Sequence, residues 1–408
     1  MTVRSGSHPI PTALFAAMLL AVLSGCSGGN GANIALGTGS ASSPASGSTG
    51  TLAVSMTDSP ACGFASVNVT VDSVRIHRSA TAADTDPGWT DLILAAPRKV
   101  DLLTLTNGAL TTLGQVQLAA GHYSQLRLVL DSGSSTANSV VLPGAVAELP
   151  LVVPSGTQSG IKLINEFDVP VGQRVDLVLD FDACRSVVPR GLGAFALVPV
   201  VRVVPAALNG IQGFVSPALL GSNVLVSAQS NGTVIASTAP DPQTAQFTVS
   251  HVAAGSYDLV VSSDDHATVV ITGVPVPQSG LVMVSTNAAP ISPPAAASRV
   301  ASGSAILSPP NNSVSVHVAA KQLLGAGPLV TVKTLGADLS SGTFSLNLPV
   351  AAPLVGSYGS GTLPVALTAQ TSAAGLYSLE ASAIGYTTQS ASIDISSASA
   401  LRSFTLTP

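Results

Sequence analysis

Apolar side chains occupy every second position in many short runs of this 408-residue chain. The segments Leu126-Arg127-Leu128-Val129-Leu130 and Val175-Asp176-Leu177-Val178-Leu179 both show this alternation. A period of two places successive side chains on opposite faces of a β-strand, whereas an amphipathic helix needs a period near 3.6. Turn-forming residues separate the runs, and no long stretch after the N-terminal region keeps a helical period. We therefore predict an all-β chain of three tandem β-sandwich domains.

The N-terminal region predicts export. Arg4 precedes a short apolar stretch over residues 13–23, and Cys26 follows closely. A positive residue followed by such a stretch is typical of a secretory signal peptide, and the stretch is shorter than the roughly 20 residues of a membrane-spanning helix. The alternatives are a signal peptide with a chance cysteine, or a short core helix.

The tetrapeptide Leu23-Ser24-Gly25-Cys26 resembles the lipobox of bacterial lipoproteins. This resemblance implies that residues 1–25 are removed and that Cys26 carries diacylglyceryl and acyl groups, which anchor the protein stably in a membrane. Ser27, in place of an aspartate, implies sorting to the outer membrane. Residues 26–49 are rich in Gly and Ser and uncharged, so we expect a flexible tether.

Composition narrows the possible functions. The net charge is −5 and there is no basic block, which argues against a nucleic-acid partner. The chain has no His-Glu-x-x-His, Gly-x-Ser-x-Gly or P-loop motif, and its histidines are scattered. We therefore predict a protein that is not an enzyme and needs no cofactor.

Composition shifts divide the exported part into three domains and a linker. We predict domains at residues 50–205, 209–286 and 299–408, with a stiff, extended Pro/Ala linker at residues 287–298. In the second domain, Asn231-Gly232 predicts a type I′ hairpin turn. In the first, the alternation slips at Asp72-Ser73, which predicts either a bulge in one long strand or a turn between two.

The phrase Ala-Ala-Gly-x-Tyr occurs three times, at residues 119–123, 253–257 and 373–377. Glycine can turn the chain there, and the tyrosine can then begin a strand with its ring inward and its hydroxyl bonded to the preceding loop. Leu259 and Leu379 follow two residues after their tyrosines and so share a face with them. We favour this structural role over a repeated ligand site.

The second and third domains resemble the carboxypeptidase regulatory-like, or prealbumin-like, seven-stranded sandwich. The residues that carry this resemblance are Ile211-x-Gly213-x-Val215, the Asn231-Gly232 hairpin and Ala254-Gly255-x-Tyr257-x-Leu259. It is weaker in the third domain, which lacks the Asn-Gly hairpin. The resemblance implies a non-catalytic module.

The first domain resembles the DUF4382 domain of bacterial lipoproteins along its whole length. The matching segments follow in order: Met56-Thr57-Asp58-Ser59-Pro60, Gly88-Trp89, Val100-Asp101-Leu102-Leu103, residues 121–128, residues 159–163, residues 179–183 and Leu197-Val198-Pro199-Val200. No activity is established for that family, so the resemblance implies an architecture only.

Two further cysteines, Cys62 and Cys184, predict a disulfide in an exported chain. It would close a long loop, worth about 4–5 kcal/mol in the chain-entropy account. Two buried free thiols are the alternative.

Only a few side chains are candidates for a site. Trp89, the single tryptophan, could bind a ligand if exposed, although its neighbours favour a core position. Asp176, Asp180 and Asp182 share a strand face and could bind Ca²⁺, or instead be neutralised by Arg127, Arg174 or Arg185. Asp84-x-Asp86 and Asp264-Asp265-His266 are interpreted as solvated turns.

These observations favour a lipid-anchored envelope protein that binds glycan or another protein at the cell surface or in the periplasm. A structural spacer, in which the second and third domains project the first, is the alternative. A hydrolase that uses the acidic strand around Asp180 is a remote one.

Overall fold

The computed structural model describes residues 48–59, 63–153, 159–207, 209–359 and 362–408. The predicted signal peptide, Cys26 and nearly all of the tether lie outside these residues, as does Cys62. From Ser48 onward the described chain forms one compact unit. Almost all of its regular structure is β-strand, which confirms the predicted all-β class. No described helix is long and apolar enough to cross a membrane.

The strands of the first sandwich are β1 (Thr49–Ser59), β2 (Ser66–His77), β3 (Thr90–Asp101), β4 (Thr111–Ala119), β5 (Gly121–Leu130), β6 (Ser139–Val141), β7 (Leu149–Val152), β8 (Ile161–Val169), β9 (Arg174–Asp182), β10 (Val187–Pro189), β11 (Phe195–Leu197) and β12 (Val201–Pro205). A four-residue helix, α1 (Ala183–Ser186), joins β9 to β10. A four-stranded sheet, in the order β12-β9-β1-β4, packs against an eight-stranded one, in the order β10-β11-β7-β6-β2-β5-β8 with β3 beside β2.

The second sandwich contributes seven strands of its own, the number that its resemblance implied. They are β13 (Asn209–Phe214), β14 (Leu225–Ser230), β15 (Thr233–Thr238), β16 (Gln246–Ser250), β17 (Gly255–Ser262), β18 (Val269–Val276) and β19 (Gly280–Met283). One sheet has the order β16-β13-β19, and the other begins β15-β14-β17-β18.

The third sandwich follows from Ser298. Its strands are β20 (Ser298–Leu307), β21 (His317–Leu323), β22 (Leu329–Gly336), β23 (Thr343–Pro349), β24 (Leu354–Ser357), β25 (Thr368–Ala369), β26 (Leu376–Ser382), β27 (Gln389–Asp394), β28 (Ala400–Leu401) and β29 (Phe404–Leu406). One sheet has the order β23-β20-β28 with β29 also beside β20, and the other has the order β22-β21-β26-β27. Short 3₁₀ turns lie at Leu102–Thr104, Pro217–Leu219 and Thr371–Ala373.

Two local predictions are confirmed in detail. Asn231 and Gly232 have φ of 50° and 73° between β14 and β15, as a type I′ turn requires. The slip near Asp72 is a bulge within the single strand β2, because its register with both neighbouring strands shifts between Val71 and Ser73.

Strands and core residues cross the predicted boundary between the second and third sandwiches. Strand β24 pairs in parallel with β18, and β25 pairs with β24, so both extend a sheet of the second sandwich. In return, Val260 and Val270 of the second sandwich are buried in the core of the third. Neither core is complete without the other domain, so the two sandwiches are expected to fold as one cooperative body.

The Pro/Ala segment at residues 287–298 lies along the second sandwich. Ile291 forms a parallel bridge with Val215, and Ala295 an antiparallel bridge with His266. Ala267 donates its backbone N–H to Pro294 over 3.0 Å. These backbone bonds hold the segment against the second sandwich, and its role as a stiff, extended linker stays a prediction.

Polar side chains join the first sandwich to the other two. Asn107 Oδ1 accepts the backbone N–H of Thr248 at 2.9 Å in the second sandwich. Asp338 of the third sandwich accepts the N–H of Gly191 at 2.7 Å. Burial opposes ionisation of Asp338, but hydrogen bonds from Ser340, from Ser341 and from Gly191 outweigh it and lower its pKa to about 2.

Gln229 joins the second and third sandwiches from a buried position. Its side chain is 1% exposed, donates to the carbonyl of Thr331 at 2.7 Å and accepts the N–H of the same residue at 2.8 Å. A glutamine that satisfies both backbone groups of one residue mimics a β-ladder contact. It therefore continues backbone pairing from one domain into the next.

Candidate functional site at the three-domain junction

The recurring tyrosine phrase is a folding device in two of its three copies. Tyr123 and Tyr257 donate their hydroxyls to the carbonyls of Ala119 and Ala253, at 2.8 and 2.9 Å. Each acceptor is the first residue of its own phrase, so the hydroxyl ties down the preceding loop as predicted. Tyr377 instead donates at 2.7 Å to Pro349, in another part of the third sandwich. All three tyrosine hydroxyls are hydrogen-bonded within the chain, so none of them is left unpaired for a ligand.

The glycines of the phrase are needed for two different reasons. Gly121 and Gly375 have φ of 137° and 68°, a region that favours glycine. Gly255 does not have a positive φ; a Cβ there would lie 3.3 Å from the ring of Tyr257. In the second sandwich the predicted turn is therefore wrong, and close packing of the ring explains the glycine.

Trp89 belongs to a charged network in the first sandwich. The ring lies over the guanidinium groups of Arg75 and Arg127, at 4.7 and 4.8 Å from its centroid. Its Nε1 donates to the carbonyl of Ala83 at 2.9 Å, and His77 lies beside it with ring centroids 4.9 Å apart. The ring is half-buried. These contacts engage the residue in packing, so its suggested role in ligand binding gains no support from its surroundings.

Asp84 explains how this network is tolerated. Arg75 and Arg127 lie directly opposite each other on β2 and β5, where like charges destabilise a sheet. Asp84 Oδ1 lies 2.5 Å from the first guanidinium and 3.3 Å from the second, and Asp91 pairs with Arg75 at 3.1 Å, so two carboxylates offset the two positive charges. The loop before β3 is thereby held onto the sheet. Asp84 is therefore a structural anchor, and its interpretation as a solvated turn residue is wrong.

The acidic strand β9 does not gather its carboxylates into a metal site. Asp176 pairs with Arg174 at 2.7 Å, and Asp180 pairs with Arg202 at 2.7 Å. Asp182 caps α1 by accepting the N–H of Arg185 at 3.0 Å. Across the described residues, no group of three His, Cys, Asp or Glu side chains is placed to hold a metal ion. Each carboxylate thus has a separate structural partner, the alternative raised for this strand.

Burial affects the last of these carboxylates most. Burial raises the pKa of Asp182, and the nearby charge of Arg185 acts in the opposite direction. Asp180 is 9% exposed and faces the second sandwich, where its partner Arg202 also donates to the carbonyl of Ile235. The polar face of β9 therefore contributes to the junction between the first two domains.

Cys184 in α1 is disulfide-bonded. Its expected partner, Cys62, lies outside the described residues, as does the predicted lipidation site Cys26. The pairing of Cys62 with Cys184 therefore stays a prediction. Cys184 borders a cavity that none of the sequence motifs indicated.

This cavity lies where the three sandwiches meet. Its volume is about 350 Å³, and each domain contributes to its lining. From the first sandwich come residues that flank α1, from the second the ends of strands β14 and β17, and from the third the strands β22 and β23. We call it the junction cavity. A site that needs three domains cannot exist in any of them alone.

One wall of the junction cavity is apolar and aromatic. Phe64 and Phe195 of the first sandwich meet edge to face, with ring centroids 5.6 Å apart and an interplanar angle of 89°. Val187 and Pro189 extend this wall, and Val332 adds to it from the third sandwich. Both rings are half-buried and pack against the first core. The wall is therefore held rigidly by the fold.

The polar part of the lining carries an ion pair between two domains. Lys333 of the third sandwich donates to Asp264 of the second at 2.8 Å, and Asn223 donates to the same carboxylate at 2.7 Å. Burial of Asp264 favours its neutral form, but the bonds from Lys333 and Asn223 outweigh this and lower its pKa below the usual range. Asp265 lies beside it and is exposed. Asp264 of this turn therefore lines the cavity and is ion-paired, whereas the exposed Asp265 agrees with the predicted solvated turn.

Two hydroxyls at this cavity have no partner among the described residues. The Oγ of Ser263 and the Oγ1 of Thr268 are shielded from solvent and make no hydrogen bond there. Thr268 is only 2% exposed. A buried polar group without a partner costs about 1–3 kcal/mol, so a bound molecule or water that supplies one is favoured.

Sequence reasoning missed most of this site. Phe64, Phe195 and Lys333 stand alone among apolar or turn-forming neighbours, and nothing in their spacing links them. Only the Asp264-Asp265 pair attracted notice. The site depends on three domains meeting, which is not encoded in any local pattern.

Comparison with known proteins adds a family for the first sandwich. The family model described as "Domain of unknown function (DUF4382)" matches residues 49–199. A search of the curated proteins gives no match. Among solved structures, the chain is similar to a streptococcal ancillary pilin, with 9% identity, a TM-score of 0.15 and coverage of 88% of this chain and 99% of that one.

Two other pilus proteins give similar values. BcpA, the major pilin subunit of Bacillus cereus, has 10% identity, a TM-score of 0.14 and coverage of 88% and 99%. The fimbrial protein FimP from Actonomyces oris has 10% identity, a TM-score of 0.16 and coverage of 88% and 97%. Scores this low carry no conclusion about this chain. The family match covers residues 49–199, so the first sandwich is similar to the DUF4382 domain.

Proposed function

We propose that this chain is a lipid-anchored cell-envelope lipoprotein that acts without catalysis as a binding module for glycan or protein. The observation that carries the proposal is the junction cavity, which is lined by aromatic and polar side chains from all three sandwiches. Small-molecule sites are concave, largely preformed and mostly apolar, with a few placed polar groups, and the cavity has these properties.

The anchoring part of the proposal depends on the sequence. A lipidated Cys26 would attach the mature chain to the outer membrane, and the tether would hold the sandwiches away from it. Intact-mass spectrometry of the membrane fraction tests this, because a diacylated and N-acylated Cys26 adds the mass of its lipids. A mature chain without added mass, recovered in the soluble fraction, would contradict the anchor.

Binding without turnover is favoured by the groups at the cavity. Its lining includes no histidine among the described residues, and its most buried carboxylate, Asp264, is held in an ion pair. Hydrolysis of a glycoside needs two carboxylates placed across the substrate, one of them able to carry a proton. Outside the cavity, Asp180 is paired with Arg202, which weakens the remote alternative of a hydrolase on the acidic strand.

A rigid spacer is the second candidate. The pairing of β24 with β18 and the side-chain hydrogen bonds between domains join the sandwiches into one body, as a rigid spacer requires. Replacing the second and third sandwiches by an unrelated rod separates the two functions. A spacer would keep its cellular role, whereas a binding module would lose it together with the junction cavity.

A cavity-filling variant tests binding directly. Thr334 lies on β22 and lines the cavity, so Thr334→Trp should fill part of it. Thr405→Trp on the exposed face of β29 is the matched control. We expect ligand-observed NMR with a library of small sugars and short peptides to show ligands that bind the wild type and the control but not Thr334→Trp. Equal binding by all three proteins would refute the proposal.

A further inference from the structure

We infer that the junction cavity accepts a neutral saccharide of one or two rings, an inference that rests on the binding function proposed above. Four properties of the cavity lead to this class of ligand: its size, the kinds of group in its lining, its charge and the hydrogen-bonding groups it leaves available.

The size and shape suit a small, two-faced molecule. A volume of about 350 Å³ lies near the lower end of the range of about 300–1,000 Å³ for small-molecule sites. A pyranose ring has a C–H face that packs on aromatic side chains and a rim of hydroxyls. The lining of the cavity contains both kinds of group: the rings of Phe64 and Phe195, and the polar side chains of Asp264, Asn223 and Lys333.

The charge of the lining excludes an anionic ligand. Asp264, Asp265 and Lys333 are the charged residues among those that line the cavity, which leaves a formal excess of one negative charge. Lys333 is already neutralised by Asp264 at 2.8 Å. A phosphate or a carboxylate would therefore find no unpaired cation there, and would be repelled by Asp265.

The polar part of the lining keeps both donors and acceptors available. The carboxylate of Asp264 accepts from Lys333 and from Asn223, which uses about half of its roughly four acceptor positions. Lys333 has a third N–H beyond its bonds to Asp264 and to the carbonyl of Asn347. A hydroxyl donates and accepts at once, so a polyol can use both kinds of group.

The aromatic wall provides the decisive variant. Phe64→Leu keeps the wall apolar but removes the ring on which a sugar face would pack. Phe214→Leu, a half-buried phenylalanine on β13 away from the cavity, is the matched control. We expect Phe64→Leu to weaken saccharide binding about tenfold and Phe214→Leu to leave it unchanged.

The experiment is a titration of the purified full chain by calorimetry and saturation-transfer NMR. The probes are N-acetylglucosamine, maltose and cellobiose as neutral sugars, and galacturonate, glucosamine, inorganic phosphate and a neutral tripeptide as comparisons. The expected result is binding of at least one neutral sugar that is weakened by Phe64→Leu and abolished by Thr334→Trp, with no binding of galacturonate or phosphate.

The outcomes separate the two proposals. If glucosamine, phosphate or the tripeptide binds and Thr334→Trp abolishes it, while no neutral sugar binds, the saccharide inference is overturned and the binding function stands. A neutral sugar whose binding is insensitive to both cavity variants also overturns the inference, because it must bind elsewhere. If no probe binds in a way that depends on Thr334, both proposals fail.

Discussion

Acidification should weaken the protein through one buried side chain, His317. It lies at the start of β21, is 8% exposed, and its Nε2 is 3.0 Å from the hydroxyl of Ser315. Burial, with a smaller contribution from the positive charge of Arg185, lowers the pKa of His317 from 6.5 to about 3. Arg185 belongs to the first sandwich, so the effect acts at the junction between the first and third domains.

The sign and size of the effect follow from proton binding in the two states. Between pH 6.5 and 3 the unfolded chain carries a proton on this histidine and the folded chain does not, so stability rises with pH across that window. Lowering the pH from 7 to 5 should therefore remove about 2 kcal/mol of unfolding free energy through His317 alone. The loss through His317 grows until the folded state also binds the proton, near pH 3, where it reaches about 4–5 kcal/mol.

The assay is urea unfolding at pH 7, 6 and 5 in constant salt, for the wild type and for His317→Gln. Glutamine cannot titrate but can still bond to Ser315, so the variant should lose about 1 kcal/mol at pH 7 and become less sensitive to pH. Between pH 7 and 5 its loss of stability should be smaller than that of the wild type by about 2 kcal/mol. Equal losses in the two proteins would refute the reasoning.

Four further substitutions test the contacts between and within domains. Gln229→Leu should cost about 2–3 kcal/mol, because it leaves both backbone groups of Thr331 buried and unpaired, and urea unfolding should then show the second and third sandwiches separating into two transitions. Asp338→Ala should cost about 2 kcal/mol by removing a charged acceptor between domains, measured by the same unfolding curves, and no loss would contradict its role. Tyr377→Phe, which leaves a buried carbonyl unpaired, should cost about 1–2 kcal/mol, whereas Tyr257→Phe, which removes an exposed bond, should cost less than about 1 kcal/mol in thermal unfolding.

Local features of the fold were predictable because they depend on neighbouring residues. A hairpin at Asn231-Gly232 needs only two residues that tolerate positive φ. A bulge near Asp72 shows as a slip in a period of two. The hydroxyl bonds of Tyr123 and Tyr257 span four residues, so the phrase that contains them already includes both partners.

Features that join distant parts of the chain were not predictable. The ion pair between Lys333 and Asp264 spans 69 residues, and the pairing of β24 with β18 crosses a predicted domain boundary. Neither contact produces a recognisable pattern in the sequence, because each residue follows only the local pattern of its own strand or turn. Trp89 illustrates the same limit: its neighbours in sequence leave its environment open, and two arginines from other strands decide it.

The sequence alone determined that this chain is a set of β-sandwiches, since alternation and turn residues are local properties of consecutive residues. The export signal stays a prediction from the N-terminal apolar stretch. Only the tertiary structure decided that the sandwiches share strands and cores and enclose a cavity between them. The physical reason is that burial at a junction depends on which surfaces meet, and those surfaces are assembled from residues far apart in the chain.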